Sequence, residues 1–286
     1  MRWQDGRRST NVEDRRGQIV KGGAIGGAGI IVLLLVAVLL GADPGTVLSQ
    51  ITEAGGGSYG GGITQSGTIS AEEAQLGDFV SVVLGYTEDS WTEIFRENGA
   101  TYQYPALVLF SGGVDSACGY AQSATGPFYC PNDQKVYIDL SFYQELKDQF
   151  GAPGDFAQAY VIAHEVGHHV QNQFGILDQV TEIQRRSDEV TANRYSVMLE
   201  LQADCYAGVW ANRANKEHSI IEAGDVEEAM NAASKIGDDN LQKQTQGYVV
   251  PDSFTHGTSA QRVRWFQAGL ATGDINSCDT FNAAVV

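Results

Sequence analysis

Basic residues are scarce in this chain: 18 Lys and Arg stand against 35 Asp and Glu, a formal net charge of −17. So few cations cannot build a broad face for neutralising phosphates, which argues against nucleic acid as a partner. Cysteine is sparser still. The four residues Cys118, Cys130, Cys205 and Cys278 never form C-x-x-C, which argues against a Cys-rich zinc site. No internal repeat is evident. One stretch lacks charge altogether: "GGAIGGAGIIVLLLVAVLLGA", Gly22 to Ala42, 21 residues.

At about 1.5 Å per residue that run matches the hydrocarbon thickness of a bilayer. A buried core helix of this length would carry a polar face, so a membrane span is expected. Residues 1–21 hold six basic and three acidic residues, a net of +3, which leaves −20 on the rest. The positive-inside rule then puts the N-terminus in the cytoplasm and the bulk outside. A cleaved signal peptide is the rival reading. The long basic segment, the long apolar run and the lack of an Ala-x-Ala site after Leu40 favour an uncleaved single-pass anchor. Outside the cytoplasm an even number of cysteines reads as disulfides. Cys118 and Cys130 flank a short loop and are paired here, which leaves Cys205 for Cys278.

Four parts follow: a basic cytoplasmic segment at 1–21, the anchor at 22–42, a Gly/Ser-rich flexible linker at 43–77 and a globular domain at 78–286. The linker contains "GGGSYGGG". Such a composition buries too little apolar surface to order itself and has a root-mean-square reach of about 30 Å. Apolar residues make up 43% of the chain, enough for a substantial core. From about Glu72, one or two helices should run to Gly99. "YPALVLF" and "QKVYIDLSF" read as strands able to pair antiparallel. A helix should start at Pro153–Gly154–Asp155 and stop at Gly175, and a long one should run from about Ser187 to Arg213. Two more are expected at 225–236 and 259–270, the last with capping-box spacing at Thr258 and Gln261. This order suggests an α+β fold, predominantly helical with a small antiparallel sheet.

The stretch "AYVIAHEVGHHVQNQFG" carries the chemistry. Residues four apart on a helix share a face, so His164 and His168 can aim their imidazoles at one ion. Zinc takes such nitrogens at ~2.0–2.1 Å. Glu165 sits beside the pair and can take a proton from a metal-bound water. His169 points about 100° away from His168 and reads as non-ligating. A third ligand is needed. The extended metzincin motif requires Gly and His where this chain has Gln171 and Phe174. "ELQAD" instead offers Glu200, amid apolar neighbours, to complete a His₂Glu set, with Asp204 one turn on to hold a ligand histidine by its other nitrogen. Glu189, with Asn193 at the same offset, is the alternative. His218 reads as surface.

"HEVGHHVQN", "ELQADCYAGVWA", "GPFYCPNDQKVYIDLSF" and "THGTSAQRVRWFQAG", with "MRWQDGRRSTNVEDRRG" at the start, together resemble the neutral zinc metallopeptidases of bacteria, the YpfJ type. The likeness covers nearly the whole chain apart from the linker. It implies a zincin-like peptidase domain with one zinc ion, acting on a peptide or protein substrate behind a single membrane anchor. The place implied is the bacterial inner membrane, with the catalytic domain periplasmic. More distantly, the H-E-x-x-H, E-x-x-A-D and T-H-G segments resemble membrane-associated gluzincin peptidases, in which a late histidine lies near the metal and assists. That comparison makes His256 a candidate catalytic residue, a donor to the oxyanion of the tetrahedral intermediate. Arg262 is a candidate to orient the site or to contact a substrate carboxylate.

The expected reaction is peptide hydrolysis by a metal-activated water, with Glu165 as general base. An extended substrate could align with an edge strand from "YPALVLF" or "QKVYIDL". The alternative is a non-catalytic, zinc-stabilised extracytoplasmic binding module, for which Glu165 would be dispensable. A plain anchored structural domain would bind no metal.

Overall fold

The computed structural model describes residues 1–17 and 69–284. Met1–Arg16 and Ser70–Val286 form one compact unit. The expected anchor at 22–42 and all but the end of the expected linker lie outside the described residues. Among the described residues, no helix is long and apolar enough to cross a membrane.

Among the described residues the first helix, α1 (Ala71–Glu97), opens on a reciprocal cap. The Ser70 hydroxyl accepts the Glu73 N–H at 3.1 Å, and the Glu73 carboxylate accepts the Ser70 N–H at 2.8 Å. Two of the donors that a helix start leaves open are thereby satisfied. One continuous helix fills the stretch where one or two were expected, and it buries residues from Phe79 to Phe95.

A four-stranded sheet combines β1 (Val12–Asp14), β2 (Ala106–Phe110), β5 (Phe128–Cys130) and β6 (Lys135–Asp139), in the order β1-β2-β6-β5. β3 (Gly113–Ser116) and β4 (Gly119–Gln122) form a separate hairpin. β2 runs parallel to both β1 and β6, and only β5 is antiparallel to its neighbour. The sheet is therefore mixed, which corrects the antiparallel pairing expected for "YPALVLF" and "QKVYIDLSF". Between those two strands the chain makes β3, β4 and β5, a connection long enough to return it to the end at which β2 began. β2 and β6 lie inside the sheet and each buries four of its five residues. Their near-continuous apolar runs suit strands covered on both faces.

Seven further helices follow: α2 (Ser141–Asp148), α3 (Asp155–Gln173), α4 (Ile176–Gln184), α5 (Glu189–His218), α6 (Asp225–Lys235), α7 (Asp238–Gln246) and α8 (Ser259–Thr272). α3 is bracketed by Gly154 and Gly175, at φ 122° and 70°. Only glycine adopts such angles without cost, which is why the chain turns there. α5 starts at Asp188, whose carboxylate accepts the Thr191 N–H at 2.8 Å. The capping box at Thr258 and Gln261 opens α8 as its spacing predicts. Cys118 pairs with Cys130 and Cys205 with Cys278, again as expected. The first bond ties the β3–β4 turn to β5. The second ties α5 to the short turn Ile275–Cys278.

α5 and α8 cross closely. A Cβ on Gly208 would strike the Phe266 backbone, and one on Gly269 would strike the Cys205 carbonyl. Overpacking a tight contact of this kind costs about 1–3 kcal/mol. Gly208→Ala is therefore expected to lower the melting temperature by roughly 3–10 °C for a unit of this size, measured by thermal denaturation.

Residues 1–16 are part of the fold, although their charge sets them apart as a separate segment. Trp3 is buried edge-on against Phe79, at 5.4 Å between centroids. Buried Glu88 accepts hydrogen bonds from Ser9 Oγ (2.5 Å), Asn11 Nδ2 (2.7 Å) and Arg7 (2.8 Å). β1 then adds to the sheet through Val12↔Leu107 and its two neighbours. The unit thus includes residues 1–16 and resumes at Ser70, not at 78.

Candidate metal centre

His164, Glu165 and His168 come from α3, Glu200 and Asp204 from α5, and Arg262 from α8. α3 and α5 approach closely beside the site, where a Cβ on Gly167 would lie 3.1 Å from the Ala203 carbonyl. The one-turn spacing brings the rings of His164 and His168 to 4.8 Å, nearly perpendicular. Both Nε2 atoms converge on Glu200, at 3.1 Å from His164 and 3.4 Å from His168.

Each histidine is held by its other nitrogen. His164 Nδ1 lies 2.8 Å from Asp204 Oδ1, and His168 Nδ1 lies 2.9 Å from Gln171 Oε1. With Nδ1–H donating to these acceptors, each ring turns its Nε2 toward Glu200, and loss of the Nε2 proton would free a lone pair there for an ion. A tetrahedral ion with ligands at ~2.0–2.1 Å needs ligand atoms about 3.3 Å apart. The two Nε2–carboxylate separations, one to each oxygen of Glu200, are close to that value, and the ligand atoms of His164, His168 and Glu200 all lie within 4.8 Å of one another, so the three could hold a metal ion. Glu189 starts α5, about 16 Å along the helix axis from Glu200, and is not in this group.

The supports are themselves anchored. Asp204 is 0% exposed. Besides His164 it accepts the Tyr160 hydroxyl at 2.5 Å and Arg262 at 2.8 and 2.9 Å. Gln171 donates to the Leu199 carbonyl (2.7 Å) and to Gln202 Oε1 (3.1 Å), and Gln202 donates to the Cys278 carbonyl (3.0 Å). Charges reinforce this order. Burial pushes the Asp204 pKa up, but Arg262 and His164 outweigh it and the value falls. Burial likewise opposes ionisation of Glu200, yet the two histidines hold it well below the usual carboxylate range. Burial pulls His164 down, and Asp204 and Glu200 carry it up to about 10. In a pre-oriented nest of this kind a divalent cation would take the place of the protons held between the two rings and Glu200.

Glu165 lines the same cleft, whose volume is about 570 Å³. Its carboxylate has no hydrogen-bond partner among the described residues. His256 also faces the cleft. Its imidazole is 50% exposed, with Nδ1 3.2 Å from Asp238 Oδ1. Asp238 Oδ2 fixes that loop by accepting the N–H groups of Thr255, His256 and Gly257 at 2.8, 2.6 and 3.0 Å. Arg262, expected to orient the site or to contact a substrate carboxylate, borders the cleft but is only 2% exposed, and its guanidinium is engaged by Asp204, Tyr160 and the Ile236 carbonyl. It positions Asp204, because burial and a bidentate carboxylate leave it no reach into solvent. His169 faces away from the metal group, and His218 is at the surface beside Tyr86.

The strands expected to offer an edge lie inside the sheet. The edge strand that lines the cleft is β5, through Phe128 and Tyr129. Gln171, Tyr160 and Asp238 were not picked out from the sequence. Only Gln171 left a signal there, three residues after His168 and so on its face. Asp155, Asp225 and Glu228 form a second acidic group. It holds the amino group of Met1, 2.6 Å from Asp155 and 3.3 Å from Asp225.

The sequence model of one family, described as "Putative neutral zinc metallopeptidase", matches residues 1–281. "Uncharacterized protein YpfJ" of Escherichia coli K12 is 48% identical over 295 residues, which cover 100% of both chains. "Uncharacterized protein Rv2575" of Mycobacterium tuberculosis is 42% identical over 258 residues, 87% of this chain and 86% of that protein. No solved structure matches.

Proposed function

The chain belongs to the family described as "Putative neutral zinc metallopeptidase", and from that premise we propose that it is a membrane-held zinc peptidase whose ion is bound by His164, His168 and Glu200. The observation that carries this reading is the convergence of two Nε2 atoms on one carboxylate, with both Nδ1 atoms already engaged. When bound there, zinc acidifies a water molecule and polarises the scissile carbonyl. The residues of the chain do the rest. Glu165 accepts the proton of the attacking water and passes it to the leaving amine. His256 donates a hydrogen bond to the carbonyl oxygen as negative charge gathers on it. Asp204 and Gln171 keep both rings in place, and Arg262 and Tyr160 keep Asp204 in place. An extended peptide lies along β5 and adds to the open edge of the sheet.

Anchorage through residues 22–42 belongs to the same proposal, as does an extracytoplasmic site for the metal-bearing unit in the bacterial cell. Two disulfides support an oxidising compartment for that unit.

The test is metal analysis of the purified full chain, followed by cleavage of a peptide library. One zinc per chain is expected, with hydrolysis lost to a chelator and restored by zinc. Bound zinc with no cleavage would favour the binding module, and no bound metal would leave a structural domain.

His256 adds a pH signature. Its hydrogen bond to Asp238 raises its pKa against the effect of burial. The proton is thus kept beyond the ordinary value of about 6.5. Its donation to the substrate is complete at low pH and is lost as pH rises through the raised value. Asp238→Asn keeps an acceptor for the three N–H groups but drops the charge. The alkaline limb of the kcat/KM profile is expected to move to lower pH in that variant.

A further inference from the structure

β5 is a short strand that has to hold still. Its register with β6 consists of three pairs, Phe128↔Tyr137, Tyr129↔Val136 and Cys130↔Lys135, and no strand flanks its other edge among the described residues. Side chains alternate along a strand. Phe128 stacks on Tyr137 at 4.8 Å, and Cys130 joins the same cluster on that face. Tyr129 points the other way, toward α3. Its hydroxyl lies 3.0 Å from His169 Nδ1 and accepts a hydrogen bond from Asn172 Nδ2 at 3.0 Å.

His169 is 0% exposed. Its Nε2–H donates to the Gln103 carbonyl at 2.7 Å. That leaves Nδ1 as acceptor for the Tyr129 hydroxyl. The His169 ring also meets Tyr102 and Tyr129 edge-on, at 5.8 and 5.4 Å.

We propose that His169 is a positioning residue for the substrate: through Tyr129 it fixes the edge strand β5 relative to the metal-binding turn of α3. The inference rests on the peptidase reading above and deepens it. His168 and His169 are consecutive on one helix and point about 100° apart. One ring is turned to the metal group and the other to the strand. Two successive residues therefore set the offset between the reacting centre and the line along which a peptide must lie. A peptide added to β5 runs about 4.8 Å from it, so a slipped strand carries the scissile bond with it.

The test uses the full chain and three variants. Tyr129→Phe removes the hydroxyl from a partly exposed residue and keeps the ring. His169→Phe removes both ring nitrogens, and the double variant closes the cycle. Expected are an unchanged zinc content and a KM raised about tenfold with kcat within about twofold, because a loosened edge strand weakens peptide binding in the ground and transition states alike. The double variant should be no worse than His169→Phe alone, because both changes break one link. An unchanged KM in Tyr129→Phe, or effects that multiply in the double variant, would overturn the proposal. His169→Asn, which offers an acceptor near the Nδ1 position, should recover part of the KM. If the parent chain cleaves no peptide, affinity for a labelled peptide library is read directly in the Glu165→Gln background. Tenfold weaker capture by Tyr129→Phe would uphold the alignment role without the hydrolase reading, and capture unaffected by it, or absent altogether, would end it.

Discussion

Glu165→Gln is expected to keep its zinc and to lose peptide hydrolysis by about 10³- to 10⁴-fold, the scale on which a positioned general base contributes. The two properties separate because Glu165 lines the cleft but does not belong to the His164–His168–Glu200 group. Glutamine preserves the size of the side chain and its helix propensity while removing the proton acceptor. Metal content, melting temperature and kcat measured on the same preparation check the split. A variant that hydrolyses peptides as the parent does would remove Glu165 from the mechanism and leave the zinc-stabilised module standing. Loss of zinc with activity would instead mean that Glu165 helps to hold the ion.

The largest effect on stability is expected from Arg262→Met. Asp204 is wholly buried and depends on Arg262 for two of its hydrogen bonds and for the largest single charge that compensates its own. Removing one partner of such a pair costs about 3–5 kcal/mol, because the other charge is left uncompensated. For a unit of this size that lowers the melting temperature by roughly 10 °C. The pH dependence has a definite sign. The folded-state pKa of Asp204 is depressed, so its contribution is present above its ordinary value of about 3.9 and is lost as pH falls through the folded value. The difference between parent and variant should be full near neutrality and narrow in acid. Zinc affinity should fall as well, since Asp204 orients His164. Thermal melts over a pH series, with and without zinc, measure all of this.

The metal group was legible because its information is local. The four-residue step from His164 to His168, and the same step from Glu200 to Asp204, are read from helical geometry with no knowledge of tertiary structure. Helix borders at Gly154, Gly175 and Thr258 were legible for the same reason, since backbone angle and side-chain capping are properties of a few neighbouring residues. What was not legible is long-range. β1 is three residues of "VED", without an apolar pattern, and its partners lie near Leu107. The direction of β6 relative to β2 depends on how the hairpin between them folds. Arg262 reads as a candidate either to orient the site or to contact substrate, and the choice depends on Asp204, on another helix. His169 reads from its helical angle only as non-ligating, and its tie to Tyr129 depends on a strand 40 residues earlier.

β1 also constrains how the polypeptide can meet a lipid layer. The chain leaves the folded body at Arg16 and rejoins it at Ser70, with β1 hydrogen-bonded to β2 and Glu88 bonded to Arg7, Ser9 and Asn11. Both flanks of the apolar run are therefore moored to one object, and that object sits in a single compartment. Residues 1–16 and the metal-bearing unit therefore share one side of any bilayer for as long as β1 stays paired and Trp3 stays packed on Phe79.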